Sequence, residues 1–218
     1  FLLWLNENEF IQNVGKLKLI KAEIANIVPL SDVEVKILLN NFDNSYFGIR
    51  NKLMVMFMLD SGLRRGEVVS LESKNIFMHN NTMLVQGKGE KERLVPFGEE
   101  TKRYINRYSH MRNEYEKRFF FFFYGTPITD NTIKMYFQDL KESTGIIRLH
   151  PHLLRHTFAT NYILYGGDVE ELRILLGHTS LQMTMKYVHL ATQQRILNQR
   201  YHSHIDKLFC QYDNKLAQ

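Results

Sequence analysis

The hydrophobic pattern of the chain is helical over most of its length. Residues 31–34 read SDVE, the form of a capping box in which the Ser31 hydroxyl accepts from the Glu34 amide, and this predicts a helix through Leu39. Residues 50–60 are almost all apolar and predict a buried helix that Gly62 ends. Apolar spacing, caps and glycine stops predict further helices from about residue 65 and over 99–118, 129–143, 151–166, 168–177, 180–189 and 192–209.

One section of the chain alternates as β-strands do. Successive antiparallel hairpins are predicted there, with strands over 76–78, 82–86 and 92–97. The aromatic run 119–123 predicts a buried strand or an extended core segment, because aromatic stripes belong to a core far more often than to a cofactor-binding box. The expected fold class is therefore mainly α with a small antiparallel β-sheet (α+β).

The composition is that of a folded, basic chain. Its 218 residues are 44% hydrophobic and 12% aromatic, enough for one medium domain with a sizeable core. The formal net charge of +5 suits a polyanion such as nucleic acid, or an anionic membrane surface. No run of 18 apolar residues is present, so a membrane span is not expected. Cys210 is the single cysteine, which excludes an intramolecular disulfide and favours a reducing, cytoplasmic location.

The domain organisation is predicted from the point where the regular pattern starts. Residues 1–28 alternate apolar and basic positions without a clear end and then meet Pro29. Their apolar start lacks a basic region and is soon followed by glutamates, so a signal peptide is not expected. Because the chain also begins with Phe1, we expect 1–28 to be a linker or the tail of a missing N-terminal domain. Residues 29–218 are then one domain, ending in the helix 192–209.

Two segments present basic side chains at glycine turns. Residues 61–67 read SGLRRGE and place Arg64 at the end of the predicted buried helix, where its guanidinium could grip two oxygens of a phosphate and Glu67 could brace it. Lys88 stands between two glycines in a hairpin turn and could deliver a proton there if neighbouring cations lower its pKa. A solvated surface is the commoner explanation for either segment taken alone.

A third segment, 150–156, is rich in histidine. His150, His152 and His156 suggest a zinc site, but the glutamate of H-E-x-x-H is missing and no cysteine cluster supplies further ligands. The spacing instead puts His152 and Arg155 one turn apart on one helical face, where they could contact a single phosphate together. We therefore favour an anion site over a metal site at this segment.

A fourth segment places His178 after a helix-ending glycine and Tyr187 nine residues downstream. Taken alone, a histidine after a helix-ending glycine is usually structural, and a tyrosine within a helix is usually a core residue. Together, the arginines, lysine, histidines and tyrosine of the four segments indicate metal-free phosphoryl transfer, since no carboxylate cluster or serine or cysteine motif accompanies them. A tyrosine oxygen would attack phosphorus while cations neutralise the non-bridging oxygens. A free tyrosine has a pKa near ~10, and the cations are expected to favour its phenolate.

The four segments, in this order, resemble the signature of the tyrosine recombinase (phage integrase) family, which includes Xer-type recombinases and transposon integrases. The sequence SGLRRGE at 61–67 resembles the T-G-L-R-x-x-E box, and GKGEKER at 87–93 resembles the lysine hairpin G-K-G-x-K-x-R. The sequence HLLRHTFAT at 152–160 resembles H-x-L-R-H-x-x-A-T, and LGH at 176–178 followed by Tyr187 resembles L-G-H-x(8)-Y. The resemblance implies the catalytic-domain fold of that family.

The resemblance also implies a role for each of the principal residues. Tyr187 would be the nucleophile that forms a 3′-phosphotyrosyl link and frees a 5′ hydroxyl. Arg64 and Arg155 would clamp the scissile phosphate, and His178 would donate a further hydrogen bond to it. His152 would act as acid or base near the nucleophile.

The remaining roles and partners follow from the same resemblance. Lys88 would protonate the departing 5′ oxygen, Glu67 would support Arg64, and His156 would be structural. No metal and no small-molecule cofactor is implied, because the protein–DNA link keeps the bond energy. The expected partners are a double-stranded DNA target site and further copies of the chain in a tetramer on DNA. The helix after the tyrosine, 192–209, would pack on a neighbouring subunit or on its own domain.

The expected function is therefore site-specific DNA recombination or integration, with two alternatives. A type IB topoisomerase-like nicking-closing enzyme would use the same residues as a monomer, but the HLLR sequence at 152–155 and the short length favour a recombinase. A catalytically silent DNA-binding relative should lack at least one of the six catalytic residues, and all six are present.

Overall fold

Eight α-helices and five short strands make up the part of the chain that the computed structural model describes, residues 28–87, 92–112, 117–123 and 126–197, with backbone alone at 121–123. The helices are α1 (Asp32–Asn40), α2 (Tyr46–Asp60), α3 (Arg65–Ser70), α4 (Glu99–Met111), α5 (Asp130–Thr144), α6 (Pro151–Leu164), α7 (Val169–Leu176) and α8 (Gln182–Leu197). The strands are β1 (Ile76–Phe77), β2 (Thr82–Gln86), β3 (Glu92–Pro96), β4 (Phe121–Phe123) and β5 (Thr126–Pro127). The predicted fold class is confirmed.

Side-chain caps set the starts of several helices. The capping box of α1 is confirmed, because the Ser31 amide donates to the Glu34 carboxylate at 2.9 Å and the Glu34 amide donates to the Ser31 hydroxyl at 3.3 Å. Asp168 caps α7 as predicted, and its carboxylate accepts from the amides of Glu170 and Glu171 in the first turn of that helix. Helix α2 begins four residues before its predicted start, because the Ser45 hydroxyl accepts from the Gly48 amide at 3.1 Å.

The hydrophobic interior consists of two clusters. Helix α2 is the centre of the larger one, where it packs against α4 and α6 and buries Leu53, Phe57 and Met58 completely. Each such side chain contributes roughly 1.5–3 kcal/mol by leaving water. The smaller cluster joins α6, α7 and α8 and includes Phe158 and Tyr187. Because α6 contributes to both clusters, it fixes the position of the smaller one relative to the larger.

The three-stranded sheet has the order β1-β2-β3 and is antiparallel, as predicted. Strands β1 and β3 each end one residue before their predicted ends. Val85 faces Arg93 across the β2–β3 pair, and Met83 faces Val95. Cross-strand partners share a face, and Val85, Met83 and Val95 are buried, so Arg93 lies on the core side of the sheet. The turn that carries Lys88, residues 88–91, lies outside the described residues.

Helix α4 is shorter than predicted, since it ends at Met111 rather than at residue 118. Farther along the chain, the Phe119 amide donates to the Leu71 carbonyl at 2.8 Å. Phe119 and Phe120 are then buried beside Phe57 and Tyr108, and 121–123 form β4. The predicted burial is therefore confirmed for Phe119 and Phe120, and the predicted strand is confirmed over Phe121–Phe123.

Helix α8 runs without interruption from Gln182 to Leu197, so the predicted break between two helices after residue 189 is wrong. No glycine or proline occurs between these ends to interrupt the helix. Ala191 is fully buried in the smaller cluster, and this packing stabilises the helix beyond residue 189. The predicted continuation to residue 209 lies outside the described residues, and so do residues 1–27 of the predicted linker 1–28. Among the helices that are described, none has the length and apolar character to span a bilayer.

A close backbone approach at Gly62 joins the end of α2 to α6. Gly62 has a positive φ of 64°, and a Cβ atom there would lie 2.4 Å from the Phe158 ring. Its carbonyl accepts from the Arg155 guanidinium at 2.7 Å. Glycine is therefore required here by the backbone conformation and by the lack of space.

We predict that Gly62→Ala lowers the free energy of unfolding by about 2–4 kcal/mol, through backbone strain and displacement of the Phe158 ring. Gly66→Ala is the matched control, because nothing lies within 4 Å of a Cβ at that helical position. The control should be neutral or stabilising by roughly 0.5–1 kcal/mol. Urea unfolding followed by circular dichroism measures both, and equal stability of the two variants would contradict the prediction.

Candidate active site

The described parts of the four segments singled out in the sequence lie around one cleft, whereas Lys88 lies outside the described residues. Its volume is about 1270 Å³, and its lining includes Arg64, Glu67, Arg93, His152 and His178. These side chains come from the start of α3, from β3, from the first turn of α6 and from the loop between α7 and α8. The structure therefore brings together residues that are more than a hundred positions apart in the sequence.

The buried carboxylate of Glu67 organises the basic side chains. It is 5% exposed and accepts from the Arg64 amide at 2.7 Å and from the Arg64 guanidinium at 2.9 Å. Arg93 approaches with both terminal nitrogens, each 2.9 Å from a different Glu67 oxygen. Burial by itself raises the pKa of Glu67, but the hydrogen bonds and charge of Arg93, with the Arg64 amide, bring that pKa below its usual value. Glu67 is therefore ionised at neutral pH.

Arg64 and Arg155 lie on the same side of the molecule. The Arg155 guanidinium donates to the carbonyls of Gly62 and Leu176, at 2.7 Å and 2.5 Å, and lies 3.9 Å from Glu67. The Arg64 guanidinium reaches the next carbonyl along, that of Gly177, at 3.5 Å. Burial, followed by repulsion from Arg64, lowers the Arg155 pKa to about 10, so the Arg155 guanidinium stays charged at neutral pH.

His178 stands at the turn between α7 and α8. Gly177 ends α7 in the left-handed conformation, with φ of 61°, as the sequence predicts. The Nδ1 atom of His178 lies 2.9 Å from the Thr184 hydroxyl, and its ring stacks beside that of Tyr187 with centroids 6.3 Å apart. Burial and the nearby charges of Arg155 and Arg64 lower the His178 pKa to about 4, so the ring is neutral at pH 7.

Tyr187 is buried in the described arrangement, with 1% of its surface exposed. Its hydroxyl shares a hydrogen bond of 2.7 Å with Nδ1 of His156. Burial raises the Tyr187 pKa to about 12, and the charges of Arg155 and Arg64 lower it by less than burial raises it. The expectation that surrounding cations favour the phenolate is therefore wrong for this arrangement, because desolvation outweighs their attraction.

The structure gives the neighbouring histidines distinct environments. His156, expected to be structural, directly contacts the Tyr187 hydroxyl, and burial with the nearby Lys186 lowers its pKa to about 4. His152 is exposed at the cleft, where partial burial and the charge of Arg155 lower its pKa. His150 caps α6, its Nδ1 accepting from the Leu153 amide at 3.1 Å. Among the described residues, no group of three histidine, cysteine or acidic side chains has a metal-binding arrangement.

Sequence reasoning missed Arg93 as a site residue. Its side chain is 8% exposed, and besides its two bonds to Glu67 its Nε donates to the Leu175 carbonyl at 2.6 Å. It thus connects β3, α3 and the end of α7. The available signal was the alternation of β3, which puts Arg93 two positions before the apolar Val95 on the same strand face.

The sequence profile of the phage integrase family matches residues 29–194. The chain belongs to this family. It is 34% identical over 152 residues to the tyrosine recombinase XerC of Staphylococcus haemolyticus, a match that covers 67% of this chain and 51% of that relative. The chain thus spans about half the length of this curated relative. Membership of the phage integrase family confirms the resemblance drawn from the four motifs.

Solved structures of recombinases share the fold. The crystal structure of XerA recombinase superposes with a TM-score of 0.70 at 28% identity, covering 81% of this chain and 66% of that chain. The structure of XerH site-specific recombinase bound to palindromic difH substrate gives a TM-score of 0.66 at 22% identity, covering 77% of this chain and 51% of that chain. The phage integrase fold of this chain therefore extends over most of its described residues.

We predict that Arg93→Ala lowers the free energy of unfolding by about 3 kcal/mol, because it leaves the buried Glu67 carboxylate without its two-pronged partner. Arg103→Ala is the matched control, since Arg103 pairs with Glu100 on the exposed face of α4. An exposed pair of that kind contributes no more than about 0.5 kcal/mol. Denaturant titrations of both variants test this. An Arg93 variant as stable as the control would show that the two hydrogen bonds from Arg93 to Glu67 do not stabilise the fold.

We also predict a loss of stability on mild acidification. The folded pKa values of His156 and His178 are about 4, below the usual value near ~6.5, so the unfolded chain takes up protons first as the pH falls. Their contribution is complete above about pH 6.5 and is lost towards pH 4, lowering the melting temperature by roughly 10 °C. Calorimetric scans from pH 7 to 4.5 should show a smaller drop for His156→Gln, whereas His110→Gln, at an exposed position of α4, should behave like the parent chain. A His156 variant with the parent's pH dependence would refute the assignment.

Proposed function

We propose that the chain is a site-specific DNA recombinase or integrase that cuts and rejoins strands with Tyr187 as the nucleophile. The observation that carries the proposal is that the buried Glu67 carboxylate holds Arg64 and Arg155 together beside the cleft. Arg64 and His178 line that cleft, and the His178 ring stacks beside that of Tyr187. Two guanidinium groups and a neutral histidine fit the non-bridging oxygens of a phosphodiester.

In the proposed reaction the Tyr187 oxygen attacks the scissile phosphorus. The new bond joins that oxygen to phosphorus, the bond from phosphorus to the 5′ oxygen breaks, and a 3′-phosphotyrosyl link remains. Arg64 and Arg155 neutralise the charge on the non-bridging oxygens, His152 takes part in proton transfer at the nucleophile, and Lys88 protonates the leaving oxygen. Rejoining is the same reaction reversed, so neither ATP nor a metal ion has to supply energy.

The described position of Tyr187 is that of a protected nucleophile. Its hydroxyl is bonded to His156 and shielded from solvent, so attack requires the hydroxyl to leave His156 and enter the cleft. We propose that binding of DNA accompanies this movement of the tyrosine. Leaving the buried position removes the desolvation that raises the pKa of Tyr187. The charges of Arg64 and Arg155 then lower that pKa without an opposing effect of burial.

The proposed DNA partner fits the charge of the cleft. Lys134 and Lys141 line it from one face of α5, seven residues apart, and Arg65 and Arg173 line it from α3 and α7. Such side chains suit contacts to successive backbone phosphates. The DNA-bound XerH recombinase, similar in fold, supports this partner. Three expectations from the sequence stay predictions that accompany this proposal. They are the tetramer on DNA, the domain boundaries and the cytoplasmic location.

We predict that Tyr187→Phe abolishes covalent attachment to DNA while leaving DNA binding largely intact, because the change removes only the attacking oxygen. Sequencing DNA trapped on the parent chain first identifies the site, and nicked duplexes that carry this site then allow attachment to be measured on denaturing gels. Tyr165→Phe, at an exposed position after α6, is the control and should attach normally.

Retained attachment by the Tyr187 variant would point to another nucleophile such as Tyr162 or Tyr201. The same assay run in EDTA should give unchanged attachment, because side chains supply the positive charge in this mechanism. Strand exchange between two duplexes that carry the site separates recombination from simple nicking and closing, which would instead relax plasmids that lack it.

A further inference from the structure

A buried threonine hydroxyl makes contact with the ring of His178. Thr184 lies in the first turn of α8, is fully buried, and its Oγ1 is 2.9 Å from Nδ1 of His178. Other helical threonines of this chain behave differently. The hydroxyls of Thr157 and Thr192 donate to the backbone carbonyls four residues earlier, at 2.9 Å and 2.8 Å. In the described structure the partner of the Thr184 hydroxyl is instead the imidazole.

The direction of this hydrogen bond follows from the needs of a buried hydroxyl. The Thr184 O–H is shielded from water and requires an acceptor, and among the described residues Nδ1 of His178 is within reach. Nδ1 accepts only when the ring proton is on Nε2. A doubly protonated ring is opposed by the burial of His178 and by the positive charges around it, which come from four elements: Arg64, Arg93, Arg155 and Lys186. The neutral ring with Nε2–H satisfies both partners.

We propose that Thr184 is a positioning residue for the strand-transfer reaction: by donating to Nδ1 it keeps the proton of His178 on Nε2, where the ring can donate to the scissile phosphate. This inference rests on the proposed function. His178 lines the cleft, and with Nδ1 engaged by Thr184 its remaining nitrogen is the one available to a phosphate there. The opposite tautomer would present a lone pair to an anionic oxygen, which is repulsive.

The same contact ties the phosphate-binding histidine to the helix of the nucleophile. Thr184 and Tyr187 are three residues apart in α8, so they lie on one face of that helix, and the His178 ring packs between the hydroxyl of one and the ring of the other. A displacement of α8 that frees Tyr187 therefore also moves the group that fixes the His178 tautomer. Thr184 thus links the orientation of the donor to the position of the nucleophile.

The first test is spectroscopic and does not depend on activity. In the chain labelled with 15N-histidine, the shifts of the two ring nitrogens of His178, assigned by their loss in His178→Asn, should report protonated Nε2 and bare Nδ1 at pH 7. Thr184→Ser should preserve this pattern, and Thr184→Val should move it towards a mixture of tautomers. A parent chain with the proton on Nδ1 would overturn the inference.

The second test measures the rate of covalent attachment to the nicked duplex at saturating DNA. Thr184→Val, which keeps the shape of the side chain, should slow attachment by about 10- to 100-fold. The reason is that a fraction of the molecules then lacks the Nε2–H of His178 that donates to the phosphate. Thr184→Ser should stay within about threefold of the parent, since it keeps the hydroxyl. Thr192→Val, a loss of an exposed hydroxyl from the same helix, should be unchanged, and thermal melts verify that all variants are folded.

The outcomes separate this inference from the function on which it rests. If Tyr187→Phe still attaches to DNA, the proposed nucleophile fails, whatever the tautomer of His178. If Tyr187→Phe is inactive but Thr184→Val attaches as fast as Thr184→Ser, the function stands and the positioning role is wrong. A slow Thr184→Val variant with an unchanged tautomer and a lowered melting temperature would also overturn the role, because its defect would then be one of stability.

Discussion

The carboxylate of Glu67 is the interaction on which the rest of the site depends. A buried negative charge is tolerable when it is surrounded by compensating groups, and here the main-chain amide of Arg64, its guanidinium and the fork of Arg93 supply them. The same ion makes it possible to hold Arg155 nearby, since three guanidinium groups would otherwise repel one another in a partly dry environment. Its position at the start of α3 is also set by the fold, because its contact with the Arg64 amide begins that helix.

From this anchor the positive groups extend to the end of α7. Arg93 donates to the Leu175 carbonyl, Arg155 to that of Leu176, and Arg64 reaches that of Gly177, so three arginines satisfy three consecutive carbonyls at a helix C-terminus. Such carbonyls have no partner inside the helix and carry its partial negative charge. These hydrogen bonds fix the positions of the three guanidinium groups. An anion in the cleft can contact a guanidinium only where it is exposed. Arg64, with a third of its side chain exposed, is the most accessible of them.

The sequence predicts the local features of this arrangement well and the long-range ones less well. The cap at Ser31 and the stop at Gly177 are recognised because each depends on neighbouring residues. The ordered motifs identify the family and several residues that line the cleft, among them Arg64, His152 and His178. The fork between Arg93 and Glu67 is not recognisable in advance, since it joins positions 26 apart through the register of a strand. The burial of Tyr187 escapes prediction for a similar reason, because it depends on how α8 packs on α6. The end of α4 at Met111 and the unbroken α8 likewise reflect tertiary packing more than local preference.

The division of the hydrophobic interior into two clusters bears on how the Tyr187 hydroxyl is shielded from solvent. Tyr187 belongs to the smaller cluster with α7 and α8, whereas the larger cluster around α2 supports the sheet and the start of α3. Loosening the smaller cluster costs less than opening the larger one, because fewer apolar side chains lose their contacts. In the function that we propose, release of Tyr187 therefore disturbs the smaller cluster and leaves the larger one packed. On this proposal, the packing of Tyr187 limits unintended DNA cleavage before any chemical step begins.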